Sequence, residues 1–87
     1  MKFKDIKFSR EYRFSIGIEE ESARYYLSIP VSNQLVDYEE YYEISKQQFD
    51  QYMFDLSEAV DFAEDCRKRQ KDELLIQKPG RIRGEPI

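Results

Sequence analysis

With 87 residues, of which 40% are hydrophobic, 15% aromatic and 37% charged, the chain has room for one domain and one modest core. It contains no histidine, a single cysteine and a net charge of −4. That removes the commonest general base and transition-metal ligand, and leaves no intrachain disulfide. No apolar run approaches the ~20 residues that cross a bilayer, and the N-terminus lacks the apolar core of a signal peptide, so the expectation is a cytoplasmic protein with no membrane contact.

Charge is unevenly spread. Residues 1–10 hold four basic groups against one acidic, and residues 67–87 hold seven against three. Residues 11–44 hold two against eight, and residues 45–66 one against six. Basic ends flanking an acidic middle predict ends that fold back over the acidic surface. An acidic body also repels phosphate, which argues against nucleic-acid binding through the main surface.

Taken in order, residues 2–8 (KFKDIKF) are β-compatible but alternate poorly, which predicts a weak edge strand whose lysines discourage further pairing. Residues 11–18 alternate cleanly, with Tyr12, Phe14, Ile16 and Ile18 on one face. The run Glu19-Glu20-Glu21-Ser22 then reads as a solvated turn. Residues 24–44 hold five of the seven tyrosines and read as a hairpin around a Ser32–Leu35 turn. Its first strand points Tyr25, Leu27, Ile29 and Val31 inward, and its second points Val36, Tyr38, Tyr42 and Ile44 inward. Pairing about that turn sets Ile29 across from Tyr38, Tyr25 across from Tyr42, and Tyr26 across from Tyr41. Glu40 is the misfit. Alternation turns it inward opposite Leu27, where a lone carboxylate is costly, unless a bulge at Glu39-Glu40 relieves it.

Ser45 with Gln48 matches a capping box, and Ile44 with Phe49 a hydrophobic staple, so a helix starts here. Phe49, Tyr52, Met53 and Leu56 form its core stripe. Ser57 opens a second start, with Ala59, Phe62, Ala63 and Cys66 as a second stripe, leaving one bent helix or two. Leu74-Leu75-Ile76 is an apolar anchor, and residues 77–87 read as an extended, partly mobile tail.

The fold expected is α+β: an antiparallel three- to four-stranded meander, covered on one face by one or two C-terminal helices, in a single domain over 1–87. No nucleophile–base pair, metal spacing or phosphate loop is present, so no catalytic, metal or cofactor residue is expected. Cys66 lies on an apolar helix stripe and reads as core. Asp37, Glu39, Glu40 and Glu43 lie along one strand, where carboxylates diverge at ~6.8 Å spacing instead of converging on an ion. The basic residues Arg67, Lys68, Arg69, Lys71, Arg81 and Arg83 read as a solvated helix end, or alternatively as a nucleic-acid contact over 67–83. The outward set Tyr26, Asp37, Glu39, Tyr41 and Glu43 is the candidate partner surface: two tyrosines ringed by carboxylates, the aromatic-centred, charged-rim pattern of a protein interface.

The stretches YYLSIPVSN and VDYEEYYEI, with CRKRQKDELL and PGRIRG, resemble a pattern in small bacterial proteins to which no biochemical activity is attached. In size, acidity and its tyrosine-rich acidic face the chain is also similar to toxin-neutralising immunity proteins. That likeness implies a non-enzymatic module binding a basic protein partner. A homodimeric accessory protein using the same face is the alternative.

Overall fold

The computed structural model describes all residues from Met1 to Ile87. Four strands, β1 (Phe3–Ser9), β2 (Phe14–Glu19), β3 (Arg24–Ser32) and β4 (Asp37–Ile44), form an antiparallel meander in the order β1-β2-β3-β4. Two helices follow, α1 (Lys46–Phe54) and α2 (Val60–Arg67), and a two-residue strand β5 (Glu85–Pro86) returns to pair with β3. The architecture is α+β, with the helices on one face of the sheet. No helix is long and apolar enough to cross a membrane.

Period-2 alternation sorts the sheet as expected. Phe14, Ile16, Leu27, Ile29, Val31, Tyr42 and Ile44 pack with Phe49, Tyr52, Ala59, Ala63 and Cys66 into one buried cluster. Tyr12 is a correction. It sits in the turn between β1 and β2, exposed, because its N–H closes onto Ser9 Oγ at 3.1 Å and Arg13 turns left-handed at φ 55°. Glu19 is another. Its carboxylate is buried and accepts the N–H groups of Lys2, Glu21 and Ser22 at 2.7, 3.0 and 2.8 Å, so it builds the β2–β3 turn from inside.

The hairpin keeps the expected faces but not the expected partners. Tyr25 lies across from Ile44, Tyr26 from Glu43, Leu27 from Tyr42, Ser28 from Tyr41 and Ile29 from Glu40, a slip of two residues. The loop explains it. Asn33 Oδ1 accepts from Leu35 N at 3.0 Å and Val36 N at 2.9 Å, Asn33 N donates to Val36 O at 3.2 Å, and Gln34 takes φ 75°. Asn33–Val36 is therefore the loop, and Val36 is exposed instead of facing the core. β4 carries no bulge. The irregularity lies in β1 between Asp5 and Lys7, which pushes Ile6 out of the ladder.

Ser45 starts α1 as its sequence dictates, with both halves of the capping box made: Gln48 N to Ser45 Oγ at 3.0 Å, and Ser45 N to Gln48 Oε1 at 2.8 Å. The two-helix alternative holds. Asp55 leaves helical geometry at φ −151° and its carboxylate caps a 3₁₀ turn over Leu56–Ala59 that leads into α2. β2 last pairs with β3 at Ser28, and β5 takes the vacated side of β3 three residues on, with Val31 against Pro86 and Ser32 against Glu85. Gly84 permits this approach, since a Cβ there would lie 3.0 Å from the Ser32 backbone.

Candidate functional site

The sheet face turned away from the helices carries the candidate residues. Strands spaced ~4.8 Å apart place β1 and β4 roughly 14 Å from each other. Yet the Phe3 ring from β1 stacks on the Tyr41 ring from β4, centroids 3.6 Å apart and planes 11° from parallel. The two rings lean together over Tyr26, which meets both edge-on at 5.5 and 5.0 Å. Gly17 makes room for this: a Cβ there would stand 2.6 Å from the Tyr26 hydroxyl and 2.1 Å from the Lys4 carbonyl. Tyr26 is consequently fully buried, which corrects the expectation of two exposed tyrosines side by side. It serves instead as the floor beneath Tyr41.

The Tyr26 hydroxyl donates to Asp5 Oδ1 at 2.5 Å. Burial foremost, then this bond and the Asp5 charge, push the phenol well above its usual range. Tyr41 is half-buried and shifted the same way by burial, with the charges of Glu39 and Asp5 adding to it. Glu39 is half-buried too. Burial raises its pKa and the Asp5 charge adds to this, whereas the nearby Ser28 hydroxyl acts in the opposite sense without reaching hydrogen-bond geometry. Neither Asp5 nor Glu39 has a cationic partner. Asp37 and Glu43 stand exposed at the two ends of β4, and Glu43 makes only a 3.9 Å pair with Arg24. Of the five predicted residues, Asp37, Glu39, Tyr41 and Glu43 do share one rim, while Tyr26 lies under it.

Glu40 points the other way, into the protein. It is 7% exposed and receives Arg83 Nε at 2.8 Å and the Tyr42 hydroxyl at 2.7 Å. Arg83 also binds Asp72 with two bonds of 2.8 and 2.9 Å. The inward carboxylate is thus satisfied by the C-terminal segment, and its neighbour across the strands is Ile29, not Leu27. Other members of the basic cluster are similarly engaged. Arg67 binds Glu64 at 2.6 Å and the carbonyls of Tyr12 and Arg13; Arg69 binds Glu85 at 2.9 Å; Lys71 lies over the Phe62 ring. The C-terminal basic segment does fold back, through Arg83 onto Glu40 and Arg67 onto the Tyr12 and Arg13 carbonyls, whereas at the N-terminal end only Lys7 reaches across, to the Met53 carbonyl. Cys66 is 1% exposed, and burial pushes its thiol up to about 12.

Two cavities open on the surface. The larger, about 480 Å³, sits between the first residues of β2 and the chain just after β5, among Phe8, Arg10, Arg13, Pro30, Glu39 and Ile87. The smaller, about 290 Å³, lies between β4 and the 77–80 loop. No three His, Cys, Asp or Glu side chains are arranged to hold a metal ion. Phe3 and Asp5 were missed from sequence because a weak edge strand carries no alternation to assign its faces, and Gly17, on the cleanly alternating β2, because alternation does not say which ring packs over a position. No family model, curated protein or solved structure matches this chain.

Proposed function

We propose that this is a non-enzymatic protein-binding module that takes a basic partner on the outer rim of β4, with immunity-type inhibition of a basic toxin or nuclease as its most concrete form. One observation carries the reading: Asp5 and Glu39 flank a preorganised Phe3–Tyr41 stack and neither has a cation. Holding an unpaired carboxylate half-buried is costly, and an incoming Lys or Arg offsets that cost while stacking on the ring. The exposed Asp37 and Glu43 would steer association, and the desolvated Tyr41 would set dissociation.

The test is a pull-down from the native host at low and high salt, followed by kinetics with the captured partner. Reversing Asp37, Glu39 and Glu43 to Lys should slow association about tenfold or more at low salt. Tyr41→Ala should weaken binding by roughly 2 kcal/mol. Unchanged capture by the triple reversal overturns the reading. A homodimer on the same face makes another forecast, that the reversal alters sedimentation of the pure protein. The nucleic-acid alternative is weakened because Arg67, Arg69 and Arg83 already hold partners within the chain.

A further inference from the structure

Apart from the Tyr41 rim, the cleft between β2 and β5 has a lining with no internal explanation. Arg10 and Arg13 stand at its edge and neither makes an ion pair or a side-chain hydrogen bond. Apolar surface completes the lining: Pro30, with Phe8 and Ile87 left 59% and 46% exposed. The wall at Ile87 is pinned, because its N–H donates to the Pro30 carbonyl at 3.1 Å. Cations, an apolar wall and a carboxylate are therefore present together around one space of about 480 Å³, within the 300–1,000 Å³ range of small-molecule sites.

We infer that this cleft binds a free apolar α-amino acid, its carboxylate on Arg10 and Arg13, its ammonium on Glu39, and its side chain against Phe8, Pro30 and Ile87. The complementarity has three points. A guanidinium pair suits a planar carboxylate, since its fork of N–H donors matches two oxygens. Glu39 has no cation of its own and accepts one. The exposed Phe8 and Ile87 side chains lose water contact when an aliphatic or aromatic group settles between them. A ligand with only one of these features leaves part of the lining unmatched: a bare carboxylate meets the Glu39 charge, and a bare amine meets the two arginines. This site goes beyond the protein-binding rim, and Glu39 is the residue common to both.

The experiment needs no protein partner, so its outcome is separate from that of the rim. The full chain, labelled with ¹⁵N, is titrated with L-leucine and L-phenylalanine into the range of a Kd on the order of 1 mM. The expected result is saturable movement of the amides of Phe8, Ser15, Glu39 and Ile87. N-acetyl-leucine amide, which lacks both charges, should move none of them. Arg10→Ala with Arg13→Asn should weaken leucine binding about tenfold or more, Asn being chosen because it tolerates the left-handed backbone at position 13. Phe8→Ser, at a position already 59% exposed, should weaken phenylalanine binding while the spectrum elsewhere is unchanged. Absence of movement with both amino acids overturns the inference. So does binding that survives loss of both arginines, or 3-methylbutanoate binding as tightly as leucine, which would make the cleft a simple anion site.

Discussion

At position 17 the absence of a side chain decides what the outer face can be. A Cβ would press on both the Tyr26 hydroxyl and the Lys4 carbonyl, and the second of these is backbone that cannot swing away. Gly17→Ala should therefore destabilise the fold by about 2–3 kcal/mol, as overpacked cores do, read from urea midpoints. The same substitution should expose Tyr26, visible as a phenol that titrates closer to its usual range. Arg83 offers the opposite case, a side chain whose loss leaves its partner stranded. Arg83→Ala removes the only cation bound to the buried Glu40, so the expected cost is about 3–5 kcal/mol. Replacing Glu40 and Arg83 together by Leu and Met should recover most of it, which a double-mutant cycle measures. Alternation turned Glu40 inward but left a bulge at Glu39-Glu40 as the way out, because no local signal could pair it with a residue 43 positions away.

Individual elements differ in how fully their sequences declare them. α1 was legible to the residue because capping is a local exchange among Ser45, Gln48 and their own backbone. Ser45→Ala should cost about 1 kcal/mol in chemical denaturation. The β2–β3 turn was misread because a run of three glutamates suggests solvent, whereas Glu19 is wrapped by N–H donors. The Ser22 hydroxyl foremost, then the Lys2 N–H, hold its carboxyl down from the usual 4.5 to about 2. The sign follows from proton uptake. The unfolded chain binds this proton near pH 4.5 and the folded chain only near pH 2, so the stabilisation is present above pH 4.5 and drains away as pH falls toward 2. Asp72, lowered chiefly by its Arg83 bonds, acts in the same sense. In Glu19→Gln the slope of stability against pH should flatten across that window, and an unchanged slope would mean the turn does not depend on the charge.

For the whole molecule, the charge pattern and the single cysteine were more informative than any motif. Basic segments at the two ends predicted fold-back, and the C-terminal one shows it in the Arg83–Glu40 pair, while Arg69 pairs within its own segment and no lysine or arginine of residues 1–10 pairs with an acid. What the pattern could not supply was cover. Alternation assigns a side chain to a face but not to an environment, so Tyr26 was placed on the correct side and wrongly left in solvent. Phe3 covers it because its ring leans across to Tyr41 over the space that Gly17 leaves open. Cys66, enclosed by sheet and helix with its thiol pushed up to about 12, should be labelled by a thiol reagent only as fast as the domain opens. Labelling that outpaces global unfolding would show that α2 detaches separately.

The two-residue offset of the β3–β4 hairpin has one more consequence. Apart from Val36, both alignments bury the same side chains, so hydrophobic burial distinguishes them by little, and the unused alignment is a decoy sharing nearly every face with the true one. Two features break the tie: the Asn33 side chain, whose bonds to Leu35 N and Val36 N close the loop over Asn33–Val36 and not one residue earlier, and Arg83, which finds Glu40 at the correct depth only in the true alignment. The buried ion pair then acts less as glue than as proofreading. A chain carrying Glu40→Gln with Asn33→Ala should populate both alignments, giving two sets of slowly exchanging amide signals for residues 37–44 and one set elsewhere in the sheet.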